Sequence, residues 1–222
     1  MTTLPTLSLL EARVLGVLVE KQHTVPDTYP LTLNALVAGC NQKTSRDPVL
    51  SASDDEVQAA LDHLKTLSLV IESSGGRVMR YAHNAGRVLK VPAESIALLT
   101  MLMLRGPQTA GELRINCERL HKFSDISSVE GFLHELAAWP LGALAVELRR
   151  QPGARENRWA QLLTGALSPE ALMASSSATG HDGDVTVGEI AALKANVARL
   201  EGEVGALRET VAKLCAELGV AG

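Results

Sequence analysis

Three short polar stretches in this 222-residue chain carry side chains of the types that grip phosphates or base edges. From Gly75 to Lys90 stand Arg77, Arg80, Arg87 and Lys90 with no acidic residue among them. A second run holds Arg149, Arg150, Arg155 and Arg158 against Glu156 alone. The third is Asn41-Gln-Lys-Thr-Ser-Arg-Asp-Pro, where Asn41, Gln42, Lys43 and Arg46 mix amides with cations. Cations gathered on protruding segments neutralise backbone phosphates and release counterions, whereas amides and guanidinium groups read base edges. With Lys65, the candidate nucleic-acid-binding residues are Asn41, Gln42, Lys43, Arg46, Lys65, Arg77, Arg80, Arg149, Arg150 and Arg155. Each stretch also has a plainer reading. Exposed hairpins are commonly charged for solubility, and Asn41, Asp47 and Pro48 suit a loop that caps helices and fixes a turn.

Catalytic chemistry finds no comparable foothold. The histidines (His23, His63, His83, His121, His134 and His181) form no cluster with metal-ligand spacing. There is no glycine-rich phosphate loop, no Gly-x-Ser-x-Gly and no His-Glu-x-x-His. Cys40, Cys117 and Cys215 lie far apart without a Cys-x-x-Cys pair and read as reduced thiols of a cytoplasmic protein. A non-enzymatic protein without metal or cofactor is expected. No apolar run reaches the ~20 residues of a membrane span, and Met1 to Ser8 lacks the pattern of a secretory signal.

The elements that must position these residues announce themselves by capping. Five Ser/Thr-x-x-Glu pairs open apolar stretches of helical period: Ser8/Glu11, Ser53/Glu56, Thr109/Glu112, Ser127/Glu130 and Thr186/Glu189. From Ser8, Leu10, Val14, Leu15, Leu18 and Val19 form one face of a first helix ending near Lys21. A break over Thr24–Pro30 precedes a short helix with Leu33, Leu36 and Val37, and a longer one carries Val57, Ala60, Leu61, Leu64 and Leu67. Extended runs on either side of Gly75-Gly76 then read as a β-hairpin.

The same order returns: an apolar helix over Ile96–Leu104, one from Thr109 with Leu113 and Ile115 on its apolar side, and one from Ser127 with Val129, Phe132, Leu133 and Leu136. A hairpin follows around Gln151-Pro-Gly-Ala, with Trp139 and Trp159 packed against this second core. Three helices and a hairpin, written twice, predict an α+β, mainly α chain of two tandem winged-helix (helix-turn-helix) domains, residues 8–90 and 91–165.

A Ser/Gly/Asp-rich stretch predicts a flexible linker over 166–186, and a coiled-coil helix is expected over 187–219. Its seam is Ile190, Leu193, Val197, Leu200, Val204, Leu207, Val211, Leu214 and Leu218, with β-branched residues at most a positions and Leu at d, as parallel dimers prefer. The alternative is an amphipathic helix folded onto its own domains. The net charge of −4 belongs to this tail: residues 166–222 hold four basic and eight acidic side chains, while 1–90 and 91–165 are each balanced. Neutral domains neither demand nor exclude DNA.

Three stretches together are specific. Leu9-Leu-Glu-Ala-Arg-Val-Leu-Gly-Val-Leu-Val-Glu-Lys, Thr24-Val-Pro-Asp-Thr-Tyr-Pro-Leu-Thr-Leu-Asn-Ala-Leu and Cys40-Asn-Gln-Lys-Thr-Ser-Arg-Asp-Pro-Val resemble the YceH family of bacterial proteins over roughly residues 8–165. The resemblance implies tandem winged helices and no established activity. The sequence therefore predicts a homodimeric DNA-binding regulator. The competing expectation is a protein–protein scaffold, favoured by the acidic start of the third helix, Ser53-Asp-Asp-Glu, and by the lack of Arg or Lys between Ser127 and Trp139.

Overall fold

The structure, a computed structural model, describes residues 4–74, 78–150 and 154–165. The hairpin turn Gly75-Gly76, Arg77, Thr186/Glu189, the linker over 166–186 and the coiled-coil seam from Ile190 to Leu218 all lie outside the described residues, as does Cys215.

The chain is α+β and mainly helical. Helices α1 (Leu9–Thr24), α2 (Leu33–Cys40) and α3 (Asp54–Thr66) precede strands β1 (Val70–Ser74) and β2 (Met79–His83). A short α4 (Ala85–Leu89) leads to α5 (Ala93–Arg105), α6 (Ala110–Asn116) and α7 (Ile126–Ala137), then to β3 (Ala145–Leu148) and β4 (Arg158–Gln161). Each strand pair is an antiparallel hairpin, in register Val70↔His83 and Ala145↔Gln161.

Capping boxes form at Ser8/Glu11, Ser53/Glu56 and Thr109/Glu112. The expected box at Ser127/Glu130 does not. Helix α7 starts earlier, because the Asp125 carboxylate accepts from the Ser128 amide at 2.7 Å and places Ser127 inside the first turn. An ionised acceptor at a helix N-terminus outcompetes a hydroxyl two residues on.

The two halves repeat in detail. Leu31, just before the Thr32 cap of α2, pairs with Tyr81 on β2; Gln108, just before the Thr109 cap of α6, pairs with Trp159 on β4. Eight residues beyond each cap lies a buried cysteine, Cys40 or Cys117. The buried faces of the third helices, Val57-Leu61-Leu64 and Val129-Leu133-Leu136, share one spacing. Burial pushes both thiols up to about 12, so neither is a nucleophile at neutral pH.

Where the halves differ is informative. Val57 follows Cys40 by 17 residues and Val129 follows Cys117 by 12, so the first repeat carries five extra residues in that connection. Helix α1 also departs from a one-faced pattern: Ala12 to Val19 are all buried, because α5 covers the side that α2 and α3 leave open. Gly16 permits this approach, since a Cβ there would lie 3.0 Å from Leu104 Cδ2. Ile115, expected inward on α6, is 71% exposed; α6 is only seven residues long and Leu113 alone anchors its middle. Trp159 is buried, and Trp139 donates its indole N–H to the Leu89 carbonyl at 3.2 Å. No helix among the described residues is long and apolar enough to cross a membrane.

Candidate nucleic-acid interface

Nine of the ten expected contact residues are described, and they fall into two groups. The first group is occupied with holding the fold together. Asn41 ends α2 and clamps residue 52 from both sides: its Nδ2 donates to the Ala52 carbonyl at 2.7 Å, and its Oδ1 accepts from the Ala52 amide at 2.8 Å. Gln42 Oε1 accepts from Lys21 and Arg46, and its Nε2 donates to Thr44 Oγ1.

Arg46 is the clearest correction. Its side chain has no exposed surface, and its Nη2 lies 2.6 Å from Glu20 Oε2 while Nη1 meets Glu20 Oε1 at 3.1 Å. Nε and Nη1 also donate to the carbonyls of Gly39 and Ser45. A guanidinium so enclosed cannot reach a duplex. A buried cation needs a bidentate carboxylate and satisfied donors, and Glu20 on α1 supplies them.

Arg13, not among the residues expected from the sequence, completes this cluster. It is fully buried on α1, donating to the carbonyls of Cys40 at 3.1 Å and Pro48 at 2.7 Å, while its Nε has no partner. Burial, then the neighbouring Arg46 charge, holds its pKa below the usual guanidinium range. An arginine in the midst of Leu10, Val14 and Leu15 was the available signal. Burial pushes the Glu20 carboxyl up, but hydrogen bonding and charge from Arg46, joined by Lys21, prevail and leave it below the ordinary carboxylate range.

The same connection reaches into the second repeat. The Asp47 amide donates to the Leu104 carbonyl at 2.8 Å, and Arg105 Nη2 donates to Ser45 Oγ at 2.7 Å. The five surplus residues thus belong to the strap that fastens α1 and α2 to α5.

On the first hairpin, Arg80 Nη1 donates to the carbonyls of Pro30 at 2.7 Å and Thr28 at 3.3 Å, which pins the turn after α1 to β2. Lys65 on α3 lies 2.6 Å from Glu72 and 2.9 Å from Asp62; those hydrogen bonds, Asp62 first, raise its pKa. Arg77 lies outside the described residues.

The second group is free. Lys43, Arg149, Arg150 and Arg155 are exposed and make no hydrogen bond or ion pair with the described residues. The three arginines lie together on the connection between β3 and β4, beyond the Leu148↔Arg158 pair. Of the acids there, Glu147 accepts from Asn157 Nδ2 at 2.7 Å and Glu156 is exposed. Arg158 is turned instead toward Glu112, at 3.9 Å.

The outward faces of the third helices carry little positive charge. Helix α3 opens with Asp54, Asp55 and Glu56, all exposed, and α7 presents Glu130, His134 and Glu135. Among the described residues no group of three or more His, Cys, Asp or Glu is placed to hold a metal ion.

The sequence matches the family described as Protein of unknown function, DUF480, over residues 7–154. It is 62% identical to a UPF0502 protein of Methylibium petroleiphilum over 195 residues, 88% of this chain and 82% of that one. It is 60% identical to a UPF0502 protein of Dechloromonas aromatica, covering 89% of this chain and 90% of the relative. A UPF0502 protein of Burkholderia vietnamiensis is 63% identical over 86% of this chain and 80% of its own length.

Proposed function

This chain belongs to the DUF480 family of proteins of unknown function, and from that premise we propose that it is a non-enzymatic, DNA-associated regulator built on two winged-helix domains. The repeated order of three helices and a hairpin supports the winged-helix reading, with the Leu31↔Tyr81 and Gln108↔Trp159 bridges as the third-strand contact of each wing. The observation that carries DNA binding is the cluster Arg149, Arg150 and Arg155 on the second wing, exposed and without an ion pair to any described residue. Three guanidinium groups on a protruding hairpin suit phosphate contact and give affinity without sequence readout. The acidic start of α3 and the absence of Arg or Lys on α7 argue against direct base reading by those helices.

Two such wings act together if the segment over 187–219 pairs two chains through Ile190 to Leu218. The test is fluorescence anisotropy of a random-sequence duplex titrated with the full chain at low and moderate salt. Micromolar binding that weakens steeply with salt is expected; no binding at low salt overturns the proposal.

A second reading has its own support. Val78, Met79, Ile115 and Ile126 are exposed apolar side chains, and α3 opens with three exposed acids, features that suit a protein-docking surface better than a DNA groove reader. Failure of the duplex titration moves the assignment to this scaffold role.

A further inference from the structure

At the seam between the two repeats lies a cavity of about 150 Å³ whose walls come from α1, the 41–48 strap, α5 and the turn after α6. Its chemistry is lopsided. Lys21, Arg105 and Arg119 line it, and the one carboxylate in the lining, Glu20, is already bound by the buried Arg46 at 2.6 Å. Lys21 Nζ is held only loosely, 3.3 Å from Glu20 Oε2 and 3.4 Å from Gln42 Oε1. Arg105 gives one N–H to Ser45 Oγ, so most of its five donors remain unassigned, and Arg119 is exposed with no hydrogen bond or ion pair to the described residues.

Ser45 also belongs to the wall. Its backbone is left-handed, φ 59, a conformation uncommon for a residue other than glycine. Its hydroxyl accepts from Arg105 and keeps its own proton for a further acceptor. Three cations and a hydroxyl donor around a small recess, with the local acid neutralised from behind, match a tetrahedral oxyanion in charge and in donor type.

We propose that this cavity binds a small phosphate dianion, as inorganic phosphate or the head of a phosphate monoester, and so clamps the two repeats together. Lys21 comes from the first repeat and Arg105 and Arg119 from the second, so the occupant closes the seam through charge-assisted hydrogen bonds on both sides. A ligand that binds only the assembled seam stabilises it by mass action. The inference stands apart from the DNA reading, which rests on the hairpin arginines.

The experiment is equilibrium dialysis of the full chain against radiolabelled inorganic phosphate at constant ionic strength, with glycerol 3-phosphate and a short duplex DNA as competitors. Saturable binding of one phosphate per chain is expected, weakened tenfold or more in Arg119→Gln and Arg105→Gln and unchanged in Arg149→Ala/Arg150→Ala/Arg155→Ala. Competition by glycerol 3-phosphate identifies a monoester site, and its failure identifies free phosphate. Arg119→Gln removes no contact to the described residues, so it reports on the site even if Arg105→Gln fails to fold. Absence of saturable binding overturns the proposal. So does binding that survives Arg119→Gln or disappears with the hairpin variant, and so does displacement by duplex, which would make the recess part of a DNA-backbone track.

Discussion

Replacing Arg149, Arg150 and Arg155 together by alanine should change how DNA binding responds to salt more than it changes the protein. All three side chains are exposed beyond the last β3–β4 pair and touch no described partner, so their loss should alter stability by no more than ~0.5 kcal/mol. Each phosphate neutralised contributes ~0.9 to the slope of log K against log salt, so the variant's slope should be shallower by ~2.7 per chain. Over a fourfold rise in salt, for example from 50 to 200 mM, the wild-type advantage should therefore shrink by about 40-fold.

Anisotropy titrations with random-sequence duplex at four or five salt concentrations measure both slopes directly. Arg80→Ala is the contrasting control. Arg80 is spent on the Thr28 and Pro30 carbonyls, so that variant should lose ~1 kcal/mol of stability and keep the wild-type slope. Equal slopes for the triple variant and the wild type would refute the assignment of phosphate contact to the second hairpin, whatever happened to absolute affinity.

Glu20→Gln should cost ~3–5 kcal/mol in urea unfolding, because it leaves the Arg46 charge buried without its carboxylate. A loss under ~1 kcal/mol would mean that Arg46 reaches solvent. Gly39→Ala places a Cβ 2.6 Å from Val17 Cγ1; overpacking of ~1–3 kcal/mol should outweigh the ~1 kcal/mol gain in helix propensity, and Val17→Ala should relieve it in a double-mutant cycle. His83 is held down to about 4 by burial and then by the charge of His23, so the folded state excludes a proton that the unfolded chain takes up near 6.5. Its contribution is therefore full above pH ~6.5 and is lost as pH falls toward 4, up to ~3 kcal/mol. Chemical denaturation across that range should show the loss in wild type and a flatter profile in His83→Gln. Deleting 187–222 should convert a dimer to a monomer in light scattering, and an unchanged mass would remove the coiled-coil proposal.

Local signals foretold the local structure. Three capping boxes and the 3.6-residue period of α3 each fix an element from within a dozen neighbouring residues. What periodicity could not see is a helix used on both sides. Helix α1 looks one-faced only while its partners are α2 and α3; the residues α5 covers, Gly16 among them, become core through a contact some 90 positions away in sequence. Ile115 failed the opposite way, since a two-turn helix pinned at Leu113 and Ala110 leaves its last apolar residue in water. Helix α4 carries no side-chain cap to betray it.

The 41–48 strap departs from its sequence expectation for the same reason, with a further consequence. Polar residues in a connecting loop are ordinarily candidates for binding, because loops are exposed. Here the loop is five residues longer than its counterpart in the second repeat, and the extra length carries Arg46 inward to Glu20 and brings Ser45 and Asp47 to Arg105 and Leu104. A buried guanidinium offers five donors in a rigid fork, so it can tie together a helix end, a turn and a carboxylate that no apolar side chain could register against each other. Read in this way, the distinctive Gln42-Lys-Thr-Ser-Arg-Asp-Pro motif is the device that makes two small repeats into one packed body. Its one exposed cation is Lys43, beside the exposed acid Asp47, and the larger clusters of positive charge lie on the second hairpin and in the recess that the strap itself helps to build.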